Sequence, residues 1–356
     1  MIEEFHDNKI CCLGLMSGTS LDGLDLCLVS FETRNGQWSY TVRAAETVLY
    51  ADDMRKKLSQ AELYSAFDLL LFDNEYGRYL GEQVVSFCKR HEVNPLFISS
   101  HGHTIFHQPD KGVTLQIGSG ACIAAISRMP TVSDFRVLDV ALGGQGAPLV
   151  PIGDELLFHQ YDYCLNLGGF ANISTNINGN RIAYDICPVN IVMNHYSRMV
   201  GKEFDDGGYI ARQSIVHDEL LKELNTLEFY SMLSPKSLGK EWVLNEIFPI
   251  IDKFELSVPE ILRTFCEHIA DQLAKCISPD RSVLVTGGGV YNTFLISLLK
   301  KKSKSKIIIP DDNTIQFKEA LIFAFLGLLR MRVECNCLKS VTGASRDCVG
   351  GSVFLG

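Results

Sequence analysis

The chain has 356 residues, 46% of them hydrophobic, and carries a formal net charge of -9. That length and apolar content suffice for a large core split into two lobes with a cleft, while the acidic balance excludes a nucleic-acid backbone as partner, which calls for clustered Lys and Arg.

The first predicted strand, Ile10 to Leu15, enters the turn Gly14-Leu-Met-Ser-Gly-Thr-Ser-Leu-Asp-Gly-Leu-Asp25, and Leu24 to Phe31 leaves it as a second strand. The turn is the tip of a hairpin, in which Gly18 and Gly23 permit close backbone approach and positive φ, and Ser17, Thr19 and Ser20 supply hydroxyls. It lacks the lysine of a Walker A loop, so it reads either as a phosphate cradle or as a solvated turn. An amphipathic helix pattern follows over Leu63 to Glu92, then a strand at Leu96-Phe-Ile-Ser99 that ends at Ser100-His-Gly-His-Thr104, where polar residues commonly face a ligand crevice. His101, His103 and His107 lack zinc spacing without a fourth partner, and hydrogen bonding to a substrate suits His103 and Thr104 better. Arg136 can hold a carboxylate bidentately or form an ion pair with Asp134 or Asp139.

Tyr163 to Leu167 runs into Gly168-Gly-Phe-Ala-Asn-Ile-Ser174, a second strand, glycine turn and strand unit that points to a duplicated architecture. Asp185 follows a strand, Arg181 to Tyr184, and suits either a proton acceptor at a cleft mouth or a turn before Pro188. Ser231 to Lys240 reads as an exposed loop. Ser257-x-x-Glu260 is a capping box ahead of a helix whose stripe is Ile261, Phe265, Ile269 and Leu273. Ser282 to Thr286 enters Gly287-Gly-Gly-Val-Tyr-Asn292 and a new apolar helix, a third turn where backbone can approach a ligand. Lys300 to Lys306 is a solvated helix end, Lys318 to Gly327 is a nearly all-apolar helix, and the longest apolar run, Ala320 to Leu329, is too short to span a bilayer. Alternating strands and helices give the α/β class. The 12 cysteines sit mostly in apolar runs and read as small core residues; with no signal-peptide pattern in the N-terminal residues, free thiols and a cytoplasmic location are expected.

Three glycine turns, each following a strand, resemble the two phosphate loops and the adenosine loop of the acetate and sugar kinase, Hsp70 and actin superfamily. More specifically, the chain resembles the anhydro-N-acetylmuramic acid kinase family. Gly14 to Gly23, Ser100-His-Gly-His-Thr104, Thr114-Leu-Gln-Ile-Gly118, Asp134-Phe-Arg136, Asp139 to Pro151, Asn166 to Ser174, Gly287-Gly-Gly289 and Ser340-Val-Thr-Gly-Ala-Ser345 run in family order along the chain. The resemblance implies a two-lobed actin-like ATPase fold of duplicated ribonuclease H-like domains, with lobe I over 1–140 plus 320–356 and lobe II over 141–319. It implies ATP and Mg²⁺ as cofactors, a small amino sugar as substrate, no nucleic-acid or membrane partner, and homodimerisation. The implied reaction opens a 1,6-anhydro ring with water while O6 is phosphorylated, as in cell-wall recycling.

By the same resemblance Asp185 is the catalytic base. ATP falls to Gly18, Thr19, Ser20, Leu21, Asp22, Gly23 and Asp25 of the first turn, to Gly168, Gly169 and Asn172 of the second, and to Gly287, Gly288, Gly289 and Asn292 of the third. The sugar falls to His103, Thr104, Arg136, Asn190 and Glu319, the last also a candidate for Mg²⁺ or simply a first-turn helix acid. The family pattern D-T-G-P-G-N stands here as Asp185-Ile-Cys-Pro-Val-Asn190, a later family acid is Asn194, and the glutamine of H-G-Q-T is His103. Val189 in a glycine position predicts a loop of altered shape.

Overall fold

A computed structural model describes the chain except for Met1–Glu4, His6, Asp7, Thr19 and Ser20. It divides into two compact units, Met1–Leu157 with Phe317–Gly356, and Phe158–Gln316. Among the described residues no helix is long and apolar enough to cross a membrane.

The strands of the first unit are β1 (Lys9–Ser17), β2 (Gly23–Arg34), β3 (Gln37–Leu49), β4 (Ile98–Gln108), β5 (Val113–Ile117) and β6 (Thr131–Ser133). Those of the second are β7 (Tyr163–Leu167), β8 (Phe170–Ile177), β9 (Asn180–Pro188), β10 (Ser282–Thr286) and β11 (Lys306–Ile308), and β12 (Ser352–Phe354) returns to the first. In the first unit β3, β2 and β1 form an antiparallel meander, β4 lies parallel to β1, β6 parallel to β4, and β12 antiparallel to β6. In the second, β9, β8 and β7 repeat the meander, with β10 parallel to β7 and β11 parallel to β10. The same order and the same switch from antiparallel to parallel make each unit ribonuclease H-like, so the duplication expected from the two strand and glycine-turn units is present.

Several predicted elements fall where the pattern placed them: the long helix at Ala66–His91, the Ser257–Glu260 capping box opening a helix over Val258–Cys276, and the apolar helix at Asp312–Met331. The unit boundary lies later than residue 140. The helix Pro151–Leu157 packs on β3, and a Cβ on Gly153 would meet Ile322 within 2.7 Å, so these residues join the first unit. The segment Ser100–Thr104 also differs from expectation, because β4 runs straight through it. Its polar side chains tolerate a mid-sheet position because each histidine has an internal partner.

The second unit is packed around a core that includes Leu165, Ile173, Ile186, Leu262, Phe265, Val283 and Leu295. One core of the first unit gathers Leu13, Leu26, Phe72, Tyr76, Phe87 and Ile98. All 12 cysteines are free.

Candidate functional site

In the first unit, β1 and β2 pair from Lys9↔Glu32 to Ser17↔Leu24, which presents the first turn at the end of the hairpin. Thr19 and Ser20 lie outside the described residues. The positive φ of this turn falls on Leu21, at 61°, a conformation few non-glycine residues adopt, and the Leu21 amide donates to Gly18 O at 3.3 Å. Gly23 is required for space, since a Cβ there would lie 2.6 Å from Val48 O. Asp22 is exposed beside it. Asp25 accepts a 2.5 Å bond from Thr47 Oγ1, yet burial, helped by Asp22, raises its carboxyl above the ordinary range.

The histidines of β4 have separate duties. His101 Nδ1 faces Gly102 O at 2.9 Å, and its Nε2 accepts from Arg136 Nε at 3.1 Å and Nη2 at 2.9 Å. Burial and the adjacent guanidinium lower His101 to about 3, so the ring is neutral and its bare Nε2 serves as acceptor. His103 Nδ1 bonds Ser17 Oγ at 2.9 Å, and burial lowers it to about 4. Thr104 pairs with Gln116 on β5 and is half-buried. His107 bonds Thr114 Oγ1 at 3.1 Å, so the three histidines do not converge on a metal.

Arg136 makes no ion pair with Asp134 or Asp139. Its Nη1 donates to Gly146 O at 2.6 Å, and Asp139 is occupied by Thr342 Oγ1 at 2.7 Å, Cys337 Sγ at 3.0 Å and Gly146 N at 2.7 Å. That internal bonding also accounts for the metal-like spacing of Asp139, Cys337 and Cys348. Of the five guanidinium hydrogens, three are used, and two remain for a ligand. Burial lowers Arg136 only to about 10, so it is charged at neutral pH. Glu319 has a solvent-accessible side chain, yet desolvation raises its carboxyl, opposed by Arg136 and reinforced by Asp25. Asp25, Arg136 and Glu319 therefore form one electrostatic group.

In the second unit, the glycine turn between β7 and β8 accepts from the next helix, Asn190–Met199. Val189 N and Ile191 N bond Gly169 O at 2.8 and 3.3 Å, and Asn190 N bonds Gly168 O at 3.2 Å. Asn172 and Asp185 are direct partners across β8 and β9, so Asp185 sits within a strand rather than in a turn before Pro188. Asp185 Oδ2 accepts from Leu238 N at 2.8 Å, Asp185 N donates to Lys236 O at 3.0 Å, and Oδ1 has no partner among the described residues. Burial raises the carboxyl, partly offset by the Leu238 amide, which makes it a stronger proton acceptor than a free aspartate. The divergent residues beside it point inward: Ile186 is 2% exposed and Cys187 and Val189 are 0%, all in the unit's core. Val189 has φ -130°, so no glycine conformation is demanded and the substitutions alter packing behind Asp185.

The third turn combines necessity and openness. Gly287 has φ 83°, and a Cβ there would lie 2.5 Å from Asn166 Oδ1 and 2.8 Å from Leu167. A Cβ on Gly288 would meet only Asn190 Nδ2, at 3.9 Å, and one on Gly169 nothing within 4 Å. Gly288, Gly289, Asn190 and Asn292 line a recess of about 400 Å³ together with Phe204 and Tyr291. Asn292 Oδ1 caps the helix Thr293–Ser303 through Leu295 N at 2.9 Å, which commits that atom to the fold. Asn190, expected on the sugar side, thus shares the recess of the third turn. Phe204, Asp206, Met193 and Tyr291, which also line it, carry no mark in their local pattern, although Asp205-Asp-Gly-Gly208 is a polar glycine turn of the kind that borders ligands.

A family model described as anhydro-N-acetylmuramic acid kinase matches residues 10–356. Relatives of that description include a protein of Hydrogenovibrio crunogenus, 32% identical over 363 residues that cover 96% of this chain and 97% of the other. One from Bacillus cereus is 33% identical, covering 96% and 98%. One from Caldanaerobacter subterraneus is 32% identical, covering 100% and 99%.

Proposed function

The chain belongs to the anhydro-N-acetylmuramic acid kinase family, and from that premise we propose that it cleaves the 1,6-anhydro ring of anhydro-N-acetylmuramic acid while phosphorylating O6 from ATP, yielding N-acetylmuramic acid 6-phosphate and ADP. Water adds to the anomeric carbon and gives its proton to Asp185 Oδ1. The bond from that carbon to O6 breaks, O6 takes the γ-phosphoryl group, and ADP leaves. The observation that carries this assignment is Asp185 itself: one oxygen is fixed by Leu238 N–H, the other is unpartnered, and the carboxyl is raised.

The first unit supplies Arg136, whose two spare N–H groups suit the lactyl carboxylate, with His103 and Thr104 on sugar oxygens. In the second unit, the recess lined by Gly288 and Gly289 accepts the adenosine end of ATP, with Phe204 and Tyr291 as apolar walls. The remaining glycine-turn residues Gly18, Leu21, Asp22, Gly23, Gly168, Gly169 and Asn172 serve the phosphates, as do Thr19 and Ser20. Asp25 and Glu319, two carboxyls near enough to repel one another, would hold a hard cation through their oxygens. Mg²⁺ bound there would neutralise phosphate charge. An ATP-dependent step of this kind belongs to the cytoplasm, and the homodimer that the resemblance implies is expected to sediment at twice the mass of one chain; a monomer would overturn it.

The test is incubation of the purified protein with ATP, Mg²⁺ and the anhydro sugar in ¹⁸O-water. The expected product is a 6-phosphate with label at the anomeric oxygen. Unlabelled product would overturn the hydrolytic half, and no phosphorylated sugar would overturn the assignment.

A further inference from the structure

Tyr76, Tyr50, Ser17 and His103 are joined by consecutive hydrogen bonds in the first unit. Tyr76 Oη lies 2.6 Å from Tyr50 Oη, Tyr50 Oη 2.7 Å from Ser17 Oγ, and Ser17 Oγ 2.9 Å from His103 Nδ1. Their exposures are 0%, 3%, 1% and 3%, so water is a poor substitute for any of these bonds.

Each hydroxyl owns a single hydrogen, which fixes the direction. Tyr50 Oη donates to Ser17 Oγ, so Tyr76 donates to Tyr50; if Nδ1–H donated to Ser17 as well, the buried Ser17 hydrogen would lose the one acceptor to which it is hydrogen-bonded. With Ser17 donating to Nδ1 instead, every hydrogen is used. A ring that accepts at Nδ1 carries its proton on Nε2, which no described residue partners. Burial also lowers the His103 pKa to about 4, keeping the ring neutral at working pH.

We propose that Ser17, backed by Tyr50 and Tyr76, is a positioning residue that locks His103 as an Nε2–H donor, so that this position selects a sugar presenting an acceptor oxygen there. The inference rests on the reading of His103 as a sugar contact. It assigns Ser17 a task separate from the phosphate turn it adjoins.

The test is ¹⁵N NMR of histidine-labelled full-length protein without ligand, with His103 assigned from the spectrum of His103→Gln. A bare Nδ1 and a protonated Nε2 at pH 7 are expected; a protonated Nδ1 or a charged ring overturns the proposal. Ser17→Ala should give a mixture of tautomers, and an unchanged single tautomer overturns Ser17's role. In kinetics, His103→Gln, which keeps an N–H donor, should hold KM for the anhydro sugar within a few-fold, whereas His103→Phe should raise it at least tenfold. Equal KM values overturn the donor. An inactive wild-type protein with the expected tautomer would overturn the kinase assignment and leave the hydrogen-bonded chain standing.

Discussion

As the proposed base, Asp185 must be both desolvated and ionised. Because its folded carboxyl is raised above the unfolded value, folding favours the protonated form. That contribution to stability is full below the unfolded pKa and is lost as pH rises through the folded one. Asp185→Asn keeps an acceptor for Leu238 N–H and removes the desolvated charge, so thermal stability at pH 7 should hold or rise while kcat falls by roughly 10²–10⁴. Melting curves and single-turnover assays on the same preparation check both halves; a loss of melting temperature matching the loss of activity would make Asp185 a structural residue. In the wild type kcat/KM should decline on acidification at a pH above that of an ordinary aspartate. Arg136→Lys forfeits charge-assisted bonds worth about 1.5–3 kcal/mol, so KM should rise by roughly 10- to 150-fold. With an anhydro sugar lacking the lactyl group the two proteins should differ far less. Comparable penalties on both substrates would remove Arg136 from the carboxylate.

At the scale of elements, neighbouring glycines separate a requirement of the fold from one of the ligand. Gly287→Ala places a side chain in a left-handed conformation against Asn166 and Leu167, and should cost about 1–3 kcal/mol in unfolding free energy. Gly288→Ala meets only Asn190, so it should leave the melting temperature unchanged and weaken ADP binding in calorimetry by several-fold. The three glycine turns were legible because apolar runs of strand length stop at glycine, and the two meanders follow from their repetition. The recess was not legible, since Phe204 and Tyr291 meet only after 86 intervening residues have folded. Nor was β4 through Ser100–Thr104, whose polar residues are satisfied by Arg136 and Ser17 from distant parts of the sequence. The unusual loop at Ile186–Val189 looked like a change in the site, and burial turns it into a change in packing.

Over the whole molecule, the two units differ in continuity. The five-stranded sheet and the core of the second unit draw entirely on residues between Phe158 and Gln316. That segment alone should therefore fold cooperatively, with a sigmoidal urea transition by circular dichroism; a gradual, structureless response would show that it depends on the rest of the chain. The first unit cannot be cut from one piece. Its β1 packs so closely on the helix Asp312–Met331 that a Cβ on Gly14 would lie 1.9 Å from Ala320 O, and β6 pairs with β12. On the ribosome this reverses the usual N-terminal-first order. The hairpin made first must wait, incompletely covered, until the last 40 residues emerge, while the segment translated in between can finish folding ahead of it. Protection of the exposed β1 and β2 surface by a holding chaperone would then be a demand set by gene order, and a circular permutant that begins at Phe317 would relieve it.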